Sequence, residues 1–264
     1  MKTWTVMAQK GGVGKTTTVV NLAGALARRG KRVLVIDLDP HGSCSSYFGF
    51  DPDADTPSVH DLFEAAASGT VGAVPGVVHK TTSERIWLIP AATALVSLER
   101  RCGAVKGMGR VLARALPQVA DDYDHCLIDC PPTLGMLVIN ALAAAELLVV
   151  PMQTEELALR SLDRLMRTLE LFNNSTGRRL ANVVVPTMFD RRTRASRDTL
   201  LSLRCREDIT LWPDYIPVDT QLREASRLGV PLTVWQPEAR GAEAYERLLD
   251  GLLEKRNQRL RIAG

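Results

Sequence analysis

Two lysines, Lys10 and Lys15, flank the run Gly11-Gly12-Val13-Gly14, and two hydroxyls, Thr16 and Thr17, follow at once. This spacing suits a loop that holds phosphate. Glycines let backbone N–H groups converge on phosphate oxygens with no Cβ in the way. A helix beginning there adds the positive end of its dipole. Lys15 is placed to neutralise the β- and γ-phosphates of a nucleotide, and the Thr16 hydroxyl to ligate Mg²⁺. The strict phosphate-loop pattern opens on glycine where this chain has Gln9, and Lys10 is a charge that pattern does not require. Two acids separated by one residue, Asp37 and Asp39, close one short apolar run, and Asp129 closes another. Carboxylates at strand ends stand where α/β sheets bind ligands, within reach of a metal and its water. No lysine lies in the [NT]-K-x-D context that reads guanine, so ATP is favoured over GTP.

These groups need rigid elements behind them. Residues 3–8 read as a strand that delivers the loop, and 15–29 as the helix that leaves it, ended by Gly30. Residues 32–37 form a short apolar run bounded by charge, a buried strand. Ser58 can cap a helix over Val59–Ala67. Further strands are expected at 86–90, His125–Asp129, 147–151 and Ala181–Thr187, with helices at 108–120, 134–144, 155–173, 195–204 and 239–254. A short strand near Leu211 and a turn at Ile216-Pro217 complete the reading. Strands alternating with helices imply an α/β fold, a mostly parallel twisted sheet with helices on both faces. The expectation is one domain over residues 1–264, with no DNA-binding module ahead of the loop.

Composition limits the classes. The 264 residues are 45% hydrophobic and 24% charged, which excludes a mainly disordered chain. No apolar run approaches a membrane span, and the N-terminus lacks a secretory signal, so a cytoplasmic protein is expected. Five cysteines with no C-x-x-C pair argue against a disulfide framework or a zinc site. The 33 basic residues comprise 26 Arg and only 7 Lys, and two of those seven stand in the glycine loop.

With strand, loop, helix and two lysines together, Lys10-Gly11-Gly12-Val13-Gly14-Lys15-Thr16-Thr17 resembles the deviant Walker A loop of the ParA/MinD family of P-loop ATPases. The likeness extends through Asp37-Leu38-Asp39-Pro40, Asp129-Cys130-Pro131-Pro132, Asn140-Ala141-Leu142 and Pro151-Met152-Gln153-Thr154-Glu155. It implies an ATPase that dimerises on ATP, with Lys10 reaching the partner's nucleotide. It implies that Asp39 orients or activates the attacking water and that Asp37 and Asp129 support Mg²⁺ beside Thr16. Thr187 and Pro217 would flank the adenine. His41 stands where the family usually carries Gln.

The family's output is a surface to which the ATP dimer binds, and a partner-stimulated hydrolysis that releases it. Segment 160–207 holds 11 Arg against five acids, a patch able to bind phosphates without reading sequence. By resemblance Arg192, with Arg191 and Arg194, would contact non-specific DNA. A second family cluster follows the Ile-Pro turn, where Val218 and Gln221 replace the usual Arg and Arg223 lies close by. The expected partners are a second copy of the chain, DNA and an activating protein, either ParB-like or a chemotaxis-array adaptor. The cargo would be a chromosome, a plasmid or a chemosensory array, the last suggested by Pro40-His41-Gly42-Ser43 and Ser46-Tyr47-Phe48-Gly49. This would place the protein on the nucleoid or at a cell pole. Two alternatives are a MinD-like membrane cycle using the basic tail after Leu253, and an iron–sulfur relative of the nitrogenase reductase type.

Overall fold

The computed structural model describes residues 1–103 and 105–262, with side chains as far as Glu254. Seven strands form one sheet: β1 (Lys2–Val6), β2 (Val33–Asp37), β3 (His79–Lys80), β4 (Ile86–Ile89), β5 (His125–Asp129), β6 (Leu147–Gln153) and β7 (Ala181–Thr187). Their order is β3-β4-β2-β5-β1-β6-β7. All pairings are parallel except β3 with β4. The helices are α1 (Lys15–Arg28), α2 (Ser43–Tyr47), α3 (Val59–Ala67), α4 (Leu95–Cys102), α5 (Val111–Ala115), α6 (Met136–Ala144), α7 (Glu156–Thr176), α8 (Arg194–Arg204), α9 (Gln221–Leu228), α10 (Leu232–Trp235) and α11 (Arg240–Ile262).

Alternation along each strand sends side chains to opposite faces, and both faces are apolar. On β2, Leu34 and Ile36 join the core under α3, α5 and α6, whereas Val33 and Val35 join the core under α1 and α11. Trp4, Leu22, Leu26, Tyr245 and Leu248 fill the second layer and are all buried. Leu248, Leu249 and Leu252 pack there too, so the apolar stripe of the last helix is core. The tail read as a membrane element, Lys255, Arg256, Arg259, Arg261, Leu260, Ile262 and Ala263, lies outside the described side chains. Among the described residues, no helix is long and apolar enough to cross a membrane.

The expected helix over 108–120 is broken into a 3₁₀ turn at Met108–Arg110, the short α5, and a second 3₁₀ turn at Leu116–Val119. Pro117 explains the break, since it supplies no N–H and its ring clashes with the preceding turn. Conversely, β6 runs two residues past Pro151. β1 pairs with β6 only as far as Val6 and Val149, so Pro151 faces a place the neighbouring strand has already left. Leu211 does pair with Val184, as a single bridge. Helices α2, α4, α9 and α10 were not expected; each is short.

Candidate nucleotide site

Six parallel strands end on one side of the sheet, and the glycine loop, Asp37 and Asp129 all lie at those ends. β1 leads into the glycine loop and α1 leaves it. Gly12 and Gly14 adopt left-handed backbone angles, φ 73° and 89°, which an L side chain rarely takes. A Cβ placed on Gly11, Gly12 or Gly14 would meet nothing within 4 Å, so the loop surrounds open space rather than packed protein. Gly14 caps α1 without any side-chain acceptor, leaving the first N–H groups of the helix free to receive an anion. Thr187 supports the loop from behind: its buried hydroxyl donates to the Val13 carbonyl at 2.8 Å.

The acids meet because the strands pair in register. β2 and β5 are adjacent and parallel, and Asp37 lies opposite Asp129. Both are buried. Asp37 accepts from the Ser45 N–H and hydroxyl, each at 2.8 Å, and from the Asp39 N–H at 3.1 Å. Asp129 Oδ2 accepts from the Thr16 hydroxyl at 2.6 Å, while its Oδ1 is buried with no hydrogen-bond partner. Burial and the neighbouring carboxylates push Asp37 up to about 6. The same causes raise Asp129 well above the usual carboxylate range, against the pull of Thr16 and Lys15. A pair so placed is unfavourable alone and fitted to a cation. The orphaned Oδ1 beside a threonine hydroxyl and a phosphate-sized opening is what Mg²⁺ requires, because this ion takes few protein oxygens and completes its shell from phosphates and water.

The two lysines differ in setting. Lys15 is buried at the start of α1. Lys10 is half-buried at the loop's rim, ion-paired with Glu155 and donating to Gln153 Oε1 at 3.2 Å. Gln153, Glu155 and Ser45 thus belong to the site. In the sequence, Gln153 and Glu155 are marked only by family resemblance, and Ser45 not at all, since no local spacing marks a serine that must reach back to Asp37. Pro217 bridges to Phe189, which brings the Ile-Pro turn beside Arg191 and Arg192.

The basic segment does not form one patch. Arg164 and Arg167 on α7 line an open groove of about 500 Å³ with Gln9, Pro132 and Leu134. Arg167 also lines a second groove, of about 880 Å³, with Arg178, Arg179 and Arg206 and the acids Asp163, Glu170 and Asp208. Arg191, Arg192 and Arg194 are exposed where β7 runs into α8, and Arg223 is exposed on α9. Arg192 is held bidentate by Asp190, and its guanidinium keeps that carboxyl down at about 2. Arg194 pairs with Asp198.

Cys130 and Cys44 adjoin the acids, but both are wholly buried. Burial and nearby negative charge raise their thiols.

Residues 1–182 match the family described as AAA domain. The chain is 37% identical over 238 residues to the sporulation initiation inhibitor protein Soj of Bacillus subtilis, covering 90% of this chain and 92% of that protein. It is 35% identical over 254 residues to the chromosome partitioning protein ParA of Caulobacter vibrioides, covering 95% and 93%. Among solved structures it is similar to cobyrinic acid a,c-diamide synthase from Mycobacterium smegmatis with bound ATP analog and magnesium. There the identity is 33%, the TM-score 0.81 and the coverage 96% of this chain and 94% of that one.

Proposed function

The chain belongs to the ParA/Soj family of P-loop ATPases, and we propose that it is an ATP-driven dimerising switch that positions a cellular cargo. The observation that carries this reading is the division of labour between its lysines. Lys15 is committed to the buried cradle, whereas Lys10 sits at the rim, held only by Gln153 and Glu155. A charge on the rim can leave those partners for the phosphates bound by a second copy. The similar synthase structures, with bound ATP analog or ADP and magnesium, support ATP and Mg²⁺ as ligands.

In this reading the loop N–H groups and Lys15 bind the phosphates, and Thr16, Asp129 and Asp37 hold Mg²⁺ or its waters. Bound Mg²⁺ would supply positive charge that offsets the negative charge of the phosphates. Asp39 takes the proton of the attacking water. Adenine lies towards Thr187 and Pro217. Basal turnover is slow and a partner protein accelerates it, whether ParB-like or an array adaptor. The ATP dimer rests on DNA through Arg191, Arg192, Arg194 and Arg223. The relatives named for sporulation and chromosome partitioning favour a chromosomal or plasmid cargo, and the Pro40–Ser43 loop a chemosensory array. The work is then done in the cytoplasm, on the nucleoid or at a pole.

Size-exclusion chromatography with Mg²⁺ and ATP tests the switch. Asp39→Ala should elute as a stable dimer, Lys10→Ala as a monomer that still binds ATP, and Lys15→Ala as a monomer that does not. An Asp39→Ala protein that binds ATP yet stays monomeric would overturn the dimerising mechanism.

A further inference from the structure

Asp39 leaves the end of β2 with its side chain only 15% exposed, while that of His41 is 86% exposed. Both contacts to the Asp39 carboxylate come from His41, and both end on the same oxygen. The His41 backbone N–H donates to Oδ1 at 3.1 Å, and the ring Nδ1 lies 3.2 Å from that atom. Among the described residues, no hydrogen bond reaches Oδ2. A carboxylate accepts only, so the ring carries its proton on Nδ1 and donates.

The surrounding backbone cannot drift to compensate. The Asp39 N–H is tied to Asp37 Oδ1, and the Gly42 N–H to the Asp39 carbonyl at 2.8 Å. Gly42 is left-handed, and a Cβ on it would lie 2.6 Å from Pro52. What remains free is rotation of the Asp39 side chain about its own bonds. The backbone N–H contact is an Asx turn that almost any residue at 41 would make. The imidazole is what histidine adds.

We propose that His41 is a positioning residue for ATP hydrolysis: its ring pins Oδ1 of Asp39 and so leaves Oδ2 as the oxygen that receives the water's proton. The assignment rests on the role proposed above for Asp39. It also explains how an exposed ring on the rim of the site can matter. The ring has no other charged partner among the described residues, so its replacement leaves the fold intact and changes only the carboxylate's orientation.

Steady-state hydrolysis by the full chain with Mg²⁺ is the test. His41→Phe and His41→Ala should each lower kcat by up to about a hundredfold, the scale of a misoriented proton acceptor, with KM for ATP and the melting temperature unchanged. His41→Asn puts an amide N–H close to where Nδ1 lies and should recover most of kcat. A merely structural histidine would not give this rescue. If kcat of His41→Phe and His41→Ala equals that of the parent chain, or if Asn fails to restore it, the proposal is wrong. Asp39→Ala run beside them separates the two levels. Normal turnover in that variant removes the premise, whereas its inactivity together with fully active His41 variants removes only the role of His41.

Discussion

At the scale of residues, the two facing acids set a conflict that ligand binding must resolve. A carboxyl whose folded-state value is raised holds a proton that the unfolded chain would release. Asp37, pushed up to about 6, and Asp129, also raised, therefore favour the folded state below the ordinary aspartate range, and the contribution of Asp37 is lost as pH climbs through about 6. At neutral pH the nucleotide-free protein carries this burden, and in the function proposed above Mg²⁺ relieves it. Asp129→Asn should thus raise the melting temperature of the nucleotide-free protein by about 2–4 °C near pH 7.5 and by little near pH 4. The same variant should lose the further rise that Mg²⁺ with ATP produces. Calorimetry across pH checks this, and an equal change at both ends would assign the cost to packing instead. The chemistry of these acids was legible, because apolar runs ending in Asp lie in the sequence itself. The long-range contacts of the loop were not: Lys10 and Gln153 are 143 positions apart, and only the placing of β6 beside β1 brings them together.

At the scale of elements, legibility followed local capping. The start of α3 was readable because Ser58 and Asp61 form a reciprocal capping box, each side chain satisfying the other's end of the turn. Ser58→Ala should cost about 1 kcal/mol in urea denaturation, with ATP binding unchanged since α3 lies away from the loop. Unchanged stability would mean that Asp61 and the core contacts of Val59, Leu62 and Phe63 suffice. Helix α6, expected over 134–144 and found at Met136–Ala144, starts without a cap of its own. Gly135 at its start offers no side-chain cap, and the Leu137 N–H is instead satisfied by Glu99 Oε1 at 3.1 Å. Glu99 comes from α4, a helix without a local start signal, so neither the helix nor its contact could be read in advance. Residues 130–135 link Asp129 to α6, and Glu99 fixes the far end of that link. A Cβ on Gly135 would stand 2.2 Å from this carboxylate, which accounts for the glycine.

At the scale of the whole molecule, the net charge of +3 conceals where the arginines stand. In sequence, segment 160–207 is one basic block; in the fold, α7 and β7 carry its parts to different sides. What faces outward together is Arg191 and Arg192, with the Ile-Pro turn brought beside them by the Phe189–Pro217 bridge. Within that group Arg192 is already neutralised by Asp190, whereas Arg191 and Arg223 have no ion pair among the described residues. If DNA is the surface, unpaired arginines contribute most of the counterion release, and each phosphate contact adds about 0.9 to the slope of log K against log salt. Arg191→Ala with Arg223→Ala should therefore weaken binding of random duplex DNA in the presence of ATP and flatten that slope. Asp190→Asn should do the reverse, freeing Arg192 to meet phosphate and steepening it. Fluorescence anisotropy over a salt series reads both. Wild-type slopes in both variants would place the DNA surface elsewhere, with the arginines of α7 the next to remove. A dimer presents each arginine twice, so the same changes should be far smaller with ADP, when only one copy is available to the duplex.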